Sequence, residues 1–229
     1  MQFDYSSVNK LGWSQADKKV NSNMDAGFKA HMHYEKGLKL FKQGEYQKAA
    51  DEFGKAVKLD KKHDIAYGYL GHAYFKMGNF KEAERCYKET LKINDKFPTA
   101  HLNLGTIYYK QGNLKQAEIS YKKVIGMSRG IMNSKAGNGP KGTVLTAYAG
   151  LGSVYYDQNK FSDCAKMYEN VIKYGEDMLS NKTKAVIHYK LSVAYYKSGN
   201  RKKAVENCRA AQKFGYNVPG KFLKLLKLK

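Results

Sequence analysis

IYYKQGN, residues 107–113, decides how the rest of the chain reads. It joins two adjacent aromatics, a lysine and a Gly-Asn pair, and near copies stand at LFKQGE (40–45), AYFKMGN (73–79), VYYDQNK (154–160) and AYYKSGN (194–200). Aligned on the glycine, Gly44, Gly78 and Gly112 are 34 residues apart; Asn159 follows after 47 and Gly199 after 40. A recurrence at this period marks a series of like supersecondary units, none of which buries an apolar face alone.

Working outward from the anchors, the same residue classes return at fixed offsets. Tyr67, Leu70, Gly71 and Tyr74 precede Gly78, and Phe80, Ala83 and Tyr87 follow it. Leu104, Gly105 and Tyr108 precede Gly112; Leu114, Ala117 and Tyr121 follow. The fourth copy has Tyr148, Leu151, Gly152 and Tyr155, then Phe161, Cys164 and Tyr168; the fifth has Leu191, Ser192 and Tyr195, then Ala204 and Cys208. The first is the loosest, with Gly37, Leu40, Tyr46, Ala49, Phe53 and Ala56, and with Lys36 where the others place Leu. Apolar residues at i, i+3, i+4 and i+7 form one helical stripe, and the small residue inside it lets a partner helix come close. A glycine or asparagine at the anchor suits a left-handed residue ending the first helix. Each copy therefore reads as a helical hairpin.

This pattern resembles the tetratricopeptide repeat family, over roughly residues 30 to 218. The resemblance implies an all-α, right-handed α-solenoid of antiparallel helix-turn-helix hairpins, with first helices lining a concave inner face. Five units are expected at 30–63, 64–97, 98–131, 145–178 and 185–218. Residues 1–29 read as a mobile start, including Trp13, followed by a capping helix that covers the first hairpin through Ala16, Val20, Met24 and Phe28, with Ser14 at its cap. The Gly-, Ser- and Asn-rich stretch 128–143 reads as a mobile loop, and the long spacings before the last two units imply extended helices or loops. PGKFLKLLKLK, 219–229, reads as a basic capping helix, or as a contact with an anionic membrane surface.

The second aromatic of each motif has no place in a single packing stripe. With each anchor numbered 15, it is position 12: Phe41, Phe75, Tyr109, Tyr156 and Tyr196. One helical step turns about 100° from the core aromatic before it. In the family, positions 2, 5, 9, 12 and 13 line the ligand groove. Position 13 here is Lys42, Lys76, Lys110, Asp157 and Lys197, four cations of five. Rings beside ammonium groups suit an extended, acidic, partly apolar segment of a partner. The alternative is that the rings pack on the neighbouring hairpin while the lysines reach into water. Tyr189, at position 5 of the last unit, joins the candidate set, as do Asn103 and Lys190 at position 6. The latter two are the only echoes of the set with which family cochaperones hold a chaperone tail, and they stand two units apart, which argues against that ligand.

The 229 residues carry a net charge of +21, so partners of acidic character are expected: protein segments first, nucleic acid or an anionic surface as alternatives. The excess concentrates at 98–144 and 185–229, whereas 145–184 balances. No run approaches a membrane span and the first residues lack a secretion signal, so the expected location is cytoplasmic. Cys86, Cys164 and Cys208 have neither disulfide nor zinc spacing. His31 and His33 point to opposite sides of a helix, and His72, His101 and His188 lack companion ligands. GNGPKGT only superficially resembles a phosphate loop, since Lys-Gly-Thr stands for Gly-Lys-Thr and no strand precedes it. No catalytic constellation, metal or cofactor is expected. The chain reads as a non-enzymatic adaptor or assembly scaffold, with self-association allowed. RNA binding is one alternative. A peripheral scaffold on an anionic membrane or organelle surface is another, in size and layout similar to the small free-standing scaffolds associated with magnetosomes.

Overall fold

The computed structural model describes residues 15–128 and 138–228, with side chains over 25–128 and 141–228. Expectations for Trp13, for a Ser14 cap, for the side chains of Ala16, Val20 and Met24, and for residues 129–137 lie outside the described residues. Regular structure among the described residues is entirely helical: α1 Gln15–Lys42, α2 Tyr46–Leu59, α3 Asp64–Lys76, α4 Phe80–Ile93, α5 Pro98–Lys110, α6 Leu114–Met127, α7 Asn138–Asp157, α8 Phe161–Gly175, α9 Asn181–Lys197, α10 Arg201–Lys213 and α11 Gly220–Leu226. They form consecutive antiparallel hairpins, the construction of a helical solenoid. The chain divides into two compact units, Met1–Asp95 and Lys96–Lys229. In the first, α1 packs on α2, α2 on α3 and α3 on α4. In the second, α5/α6, α7/α8 and α9/α10 are hairpins, joined by α6 on α7 and α8 on α9, and α11 lies on α10.

The hairpin turns repeat atom for atom. Gly112 sits at φ 75°, its N–H donates to the Tyr109 carbonyl at 3.0 Å, and the Asn113 N–H donates to the Tyr108 carbonyl at 2.9 Å. These two bonds are the Schellman ending, and they require a left-handed residue at the anchor. Asn159 adopts the same conformation at φ 59°, with the Lys160 N–H on the Tyr155 carbonyl at 2.8 Å. A side chain that tolerates this region stands where glycine does elsewhere.

Helix contact inside each hairpin is set by a complementary pair. A Cβ on Gly37 would stand 2.6 Å from Phe53 Cε1, and one on Gly105 2.8 Å from Tyr121 Cε1. The fifth hairpin has Cys208 in place of the ring, and there a serine fits: Ser192 is fully buried and its hydroxyl donates to the Ala204 carbonyl at 2.6 Å. Burial pushes the thiols of Cys86 and Cys164 up to about 12, so both remain protonated core side chains.

Lys36, the odd residue of the first motif, is explained by its neighbours. Glu52 on α2 is buried, 5% exposed, and takes His33 Nδ1 at 2.6 Å, Lys55 at 2.9 Å and Lys36 at 3.1 Å. Burial alone would raise the Glu52 carboxyl; the three donors outweigh it and hold the group at about 2. His188 Nδ1 and Asn207 Oδ1, 2.9 Å apart, occupy the corresponding places of the fifth hairpin, where the pair is neutral on the acceptor side.

Two expectations for the chain's outline are corrected. The N-terminal helix is not a separate cap folded over the first hairpin, because α1 runs unbroken from Gln15 to Lys42 and its partner α2 is only half as long. Phe28, expected to cover the hairpin, is 66% exposed. Of the stretch 128–143, expected to be a loop, the residues from Asn138 onward belong to α7. The early starts of α7 and α9 take up part of the lengthened spacing before the fourth and fifth motifs.

Candidate functional site

Three of the five second aromatics share a local role before any ligand is considered. Phe41 meets Tyr46 at 5.2 Å, Phe75 meets Phe80 at 5.4 Å and Tyr156 meets Phe161 at 5.5 Å, each pair edge to face across the hairpin turn. Such contacts add about 0.5–1.5 kcal/mol beyond burial. Beyond the turn, their surroundings diverge.

In the first unit Phe41 is wedged between hairpins, with Tyr69 at 6.0 Å and His72 at 4.9 Å. Burial first, and the Lys76 charge second, lower the His72 pKa, so this ring is neutral at physiological pH. Phe75 is half-buried, while Lys42 and Lys76 are exposed. Phe41 therefore follows the packing alternative, and the expectation that all five rings line one open ligand surface is corrected at this position. The physical reason is that Tyr69 and His72 of the next first helix fill the space in front of it.

In the second unit Tyr196 is likewise covered, edge to face with Phe222 of α11 at 5.7 Å. Tyr109 and Tyr156 are not. They line a cavity of about 300 Å³ together with Ser153, Asp157, Tyr168, Tyr189, Lys190 and Val193. Thus α5, α7, α8 and α9 of one unit bring together four of the residues expected at the site: Tyr109, Tyr156, Tyr189 and Lys190. Asn103 is half-buried on α5, Lys110 is exposed, and neither lines the cavity. Lys197 Nζ lies 5.9 Å from the Phe161 ring centre, over the turn clasp.

The cavity's walls are aromatic and its polar groups are few. Burial, and then donation of its hydroxyl to Asp157, push the Tyr109 phenol well above its ordinary range. Burial lifts Tyr168 to about 12, although its hydroxyl shares a 2.9 Å hydrogen bond with Ser153. Burial also raises Tyr189, helped by neighbouring Tyr216. These three hydroxyls stay protonated at neutral pH. Lys190 Nζ lies 5.3 Å from the Tyr168 ring centre, so one ammonium is held at the cavity by a cation–π contact. Tyr156 is 38% exposed while it lines the cavity. An apolar side chain can bury itself against such walls while a carboxylate meets Lys190.

Sequence reading did not place Asp157 or Tyr168 here. Asp157 stood out as the one acid in a row of lysines, and that break was the available signal. Tyr168 occupies a core position, and only the packing of α8 against α7 and α9 lets its edge reach the cavity. A larger cavity of about 650 Å³ lies among α2, α3 and α4, edged by Lys55, Lys58, Arg85, Asp51 and Glu89, and holds none of the expected site residues. Among the described residues no three His, Cys, Asp or Glu side chains gather where a metal ion could sit, and no helix is long and apolar enough to cross a membrane.

Family models described as TPR repeat match residues 37–78 and 71–112, and one described as Tetratricopeptide repeat matches 98–130. No curated protein matches the chain. Among solved structures, the MamA protein is similar with a TM-score of 0.67 at 18% identity, over 84% of this chain and 98% of that one. YrrB, described as a TPR protein with an unusual peptide-binding site, gives 0.64 at 19% identity over 84% and 88%. The first TPR of Spaghetti (RPAP3), bound to the HSP90 peptide SRMEEVD, gives 0.50 at 23% identity over 58% and 94%.

Proposed function

This chain is a tetratricopeptide-repeat protein, and we propose that it is a non-enzymatic adaptor or assembly scaffold that holds an extended, acidic and partly apolar segment of a partner protein in the cavity of its second unit. The observation that carries the reading is the meeting of Tyr109, Tyr156, Tyr189 and Lys190 in one cavity. They come from three consecutive hairpins, with Tyr109 and Tyr156 at position 12 and Tyr189 at position 5 of the ligand side that the family resemblance implies, and Lys190 next to Tyr189 at position 6. An apolar side chain of the segment fills the space between the tyrosines, and a neighbouring carboxylate takes Lys190. Asp157 is already engaged by the Tyr109 hydroxyl, which moderates its repulsion of an acidic ligand. YrrB and the Spaghetti repeat domain, whose descriptions name peptide binding, support peptide capture as the kind of activity. Two further cations of the expected set on the same unit, Lys110 and Lys197, lie outside the cavity and add attraction at longer range.

The test is binding of fluorescent peptides that pair Asp or Glu with Leu or Phe, against peptides of reversed charge, to the intact protein and to Tyr109→Ala/Tyr156→Ala. The double variant should lose at least tenfold in affinity with far-UV circular dichroism unchanged. Equal binding of the two peptide classes, or full affinity of the double variant, would remove the cavity from the reading.

A further inference from the structure

The positive charge is not balanced evenly among the described residues, and the strongest local excess lies on the last hairpin and its capping helix. On α2 and α4, five of seven cations have a carboxylate partner one turn away: Lys48 with Glu45, Lys55 with Glu52, Arg85 with Glu82, Lys88 with Glu84 and Lys92 with Glu89. Residues 181–228 hold twelve cations and a single acid, Glu206. The one ion pair recorded there joins Lys203 to Glu169 of α8. Lys182, Arg201, Lys202, Arg209, Lys213, Lys221, Lys224 and Lys227 are all exposed. Crowding like charges on one hairpin and its capping helix raises the energy of the isolated fold, and a polyanionic surface relieves it.

Three observations choose among polyanions. First, ten of the twelve cations are lysines, hydrated point charges suited to diffuse attraction, whereas arginine's planar fork is the better match to phosphates read one at a time. Second, the aromatic rings here are already engaged. Phe214 is stacked on His188 at 5.6 Å, Tyr216 on Tyr189 at 4.5 Å, and Phe222 meets both Tyr189 and Tyr196 edge to face. Each of these rings already packs on an aromatic neighbour, so none stands as an exposed platform of the kind on which single-stranded nucleic acid stacks its bases. Third, α11 buries Phe222 and Leu226 against the unit but leaves Leu225 51% exposed, flanked by Lys221, Lys224 and Lys227. An exposed aliphatic side chain with lysines before and after it on a short helix matches the boundary between headgroups and acyl chains.

We propose that α9, α10 and α11 form a docking face for an anionic lipid surface, with the lysines on the headgroups and Leu225 entering below them. The exposed cations named above and Leu225 do not line the tyrosine cavity, although α9 contributes Tyr189, Lys190 and Val193 to it, and the proposal does not depend on the cavity's ligand. The experiment is co-sedimentation of the full chain with phosphatidylcholine vesicles, with and without roughly a third phosphatidylserine, across a salt series. Binding should require the anionic lipid and fall steeply with salt. Lys213→Gln/Lys221→Gln/Lys224→Gln should weaken partitioning about 100-fold, from roughly fivefold per lysine near the surface. Leu225→Ser should weaken it less, and to a similar extent at every salt concentration. Equal partitioning onto neutral vesicles would overturn the proposal, as would tighter binding to a single-stranded RNA that is indifferent to Leu225→Ser. Unchanged circular dichroism separates these losses from misfolding. Even without variants, the comparison of the two vesicle compositions decides the matter.

Discussion

Replacing Glu52 by Gln keeps the shape of the side chain and removes the charge that three donors converge on. The carboxyl is held at about 2 against an ordinary 4.5, which corresponds to about 3 kcal/mol of stability at neutral pH. That figure is an upper bound for the variant, because Lys36 and Lys55 are more than half exposed and regain hydration when released. A loss of 2–3 kcal/mol is the expectation, of the order found when a buried charged partner is removed. The sign with pH follows from a depressed carboxyl: its contribution is complete above about 4.5 and disappears as pH falls towards about 2. Urea unfolding of wild type and Glu52→Gln at neutral pH, at pH 4 and near pH 2 measures this directly. Hydrogen exchange of α1 and α2 amides reports the first unit alone. The two proteins should differ at neutral pH and converge in acid. A difference that stays constant down to pH 2 would refute the reasoning, since it would assign the effect to shape or packing.

Gly37→Ala places a methyl 2.6 Å from the Phe53 ring and should cost about 1–3 kcal/mol; trimming the ring as Phe53→Leu should recover part of that in the double variant, measured by thermal unfolding. Asn159→Val puts a β-branched residue at φ 59° and should destabilise by at least 1–2 kcal/mol, whereas Asn159→Gly should be close to neutral in the same melt. Phe222→Ala removes the ring that covers Tyr189 and Tyr196, with an expected loss of about 3 kcal/mol and increased exchange in α9 and α10 but not in α1 to α4.

The hairpins were legible because each is specified by local rules. Gly112 and its equivalents end helices, and Gly105 and Tyr121 fit one another within a single motif, so neither statement needs a distant neighbour. The unbroken α1 was also within reach, since residues 15–42 contain no proline, but the periodic stripe through Phe28 suggested a separate cover. The candidate site was legible only in part. Register alone points to Tyr109, Tyr156 and Tyr189 as residues of one face, while Asp157 reads from sequence as a break in the lysine row and Tyr168 as core.

By itself the sequence determined the repeat, the hairpin turns and the small residue that lets the two helices of a hairpin approach, because those depend on residues within a single motif. Only the tertiary structure decided which second aromatic is free. Phe41, Tyr156 and Tyr196 share one register, yet the first is wedged against Tyr69 and His72, the last is covered by Phe222, and the middle one opens onto a cavity. Half of each ring's environment comes from the element that stacks next, more than twenty residues along the chain, and local periodicity carries no information about what that element places there.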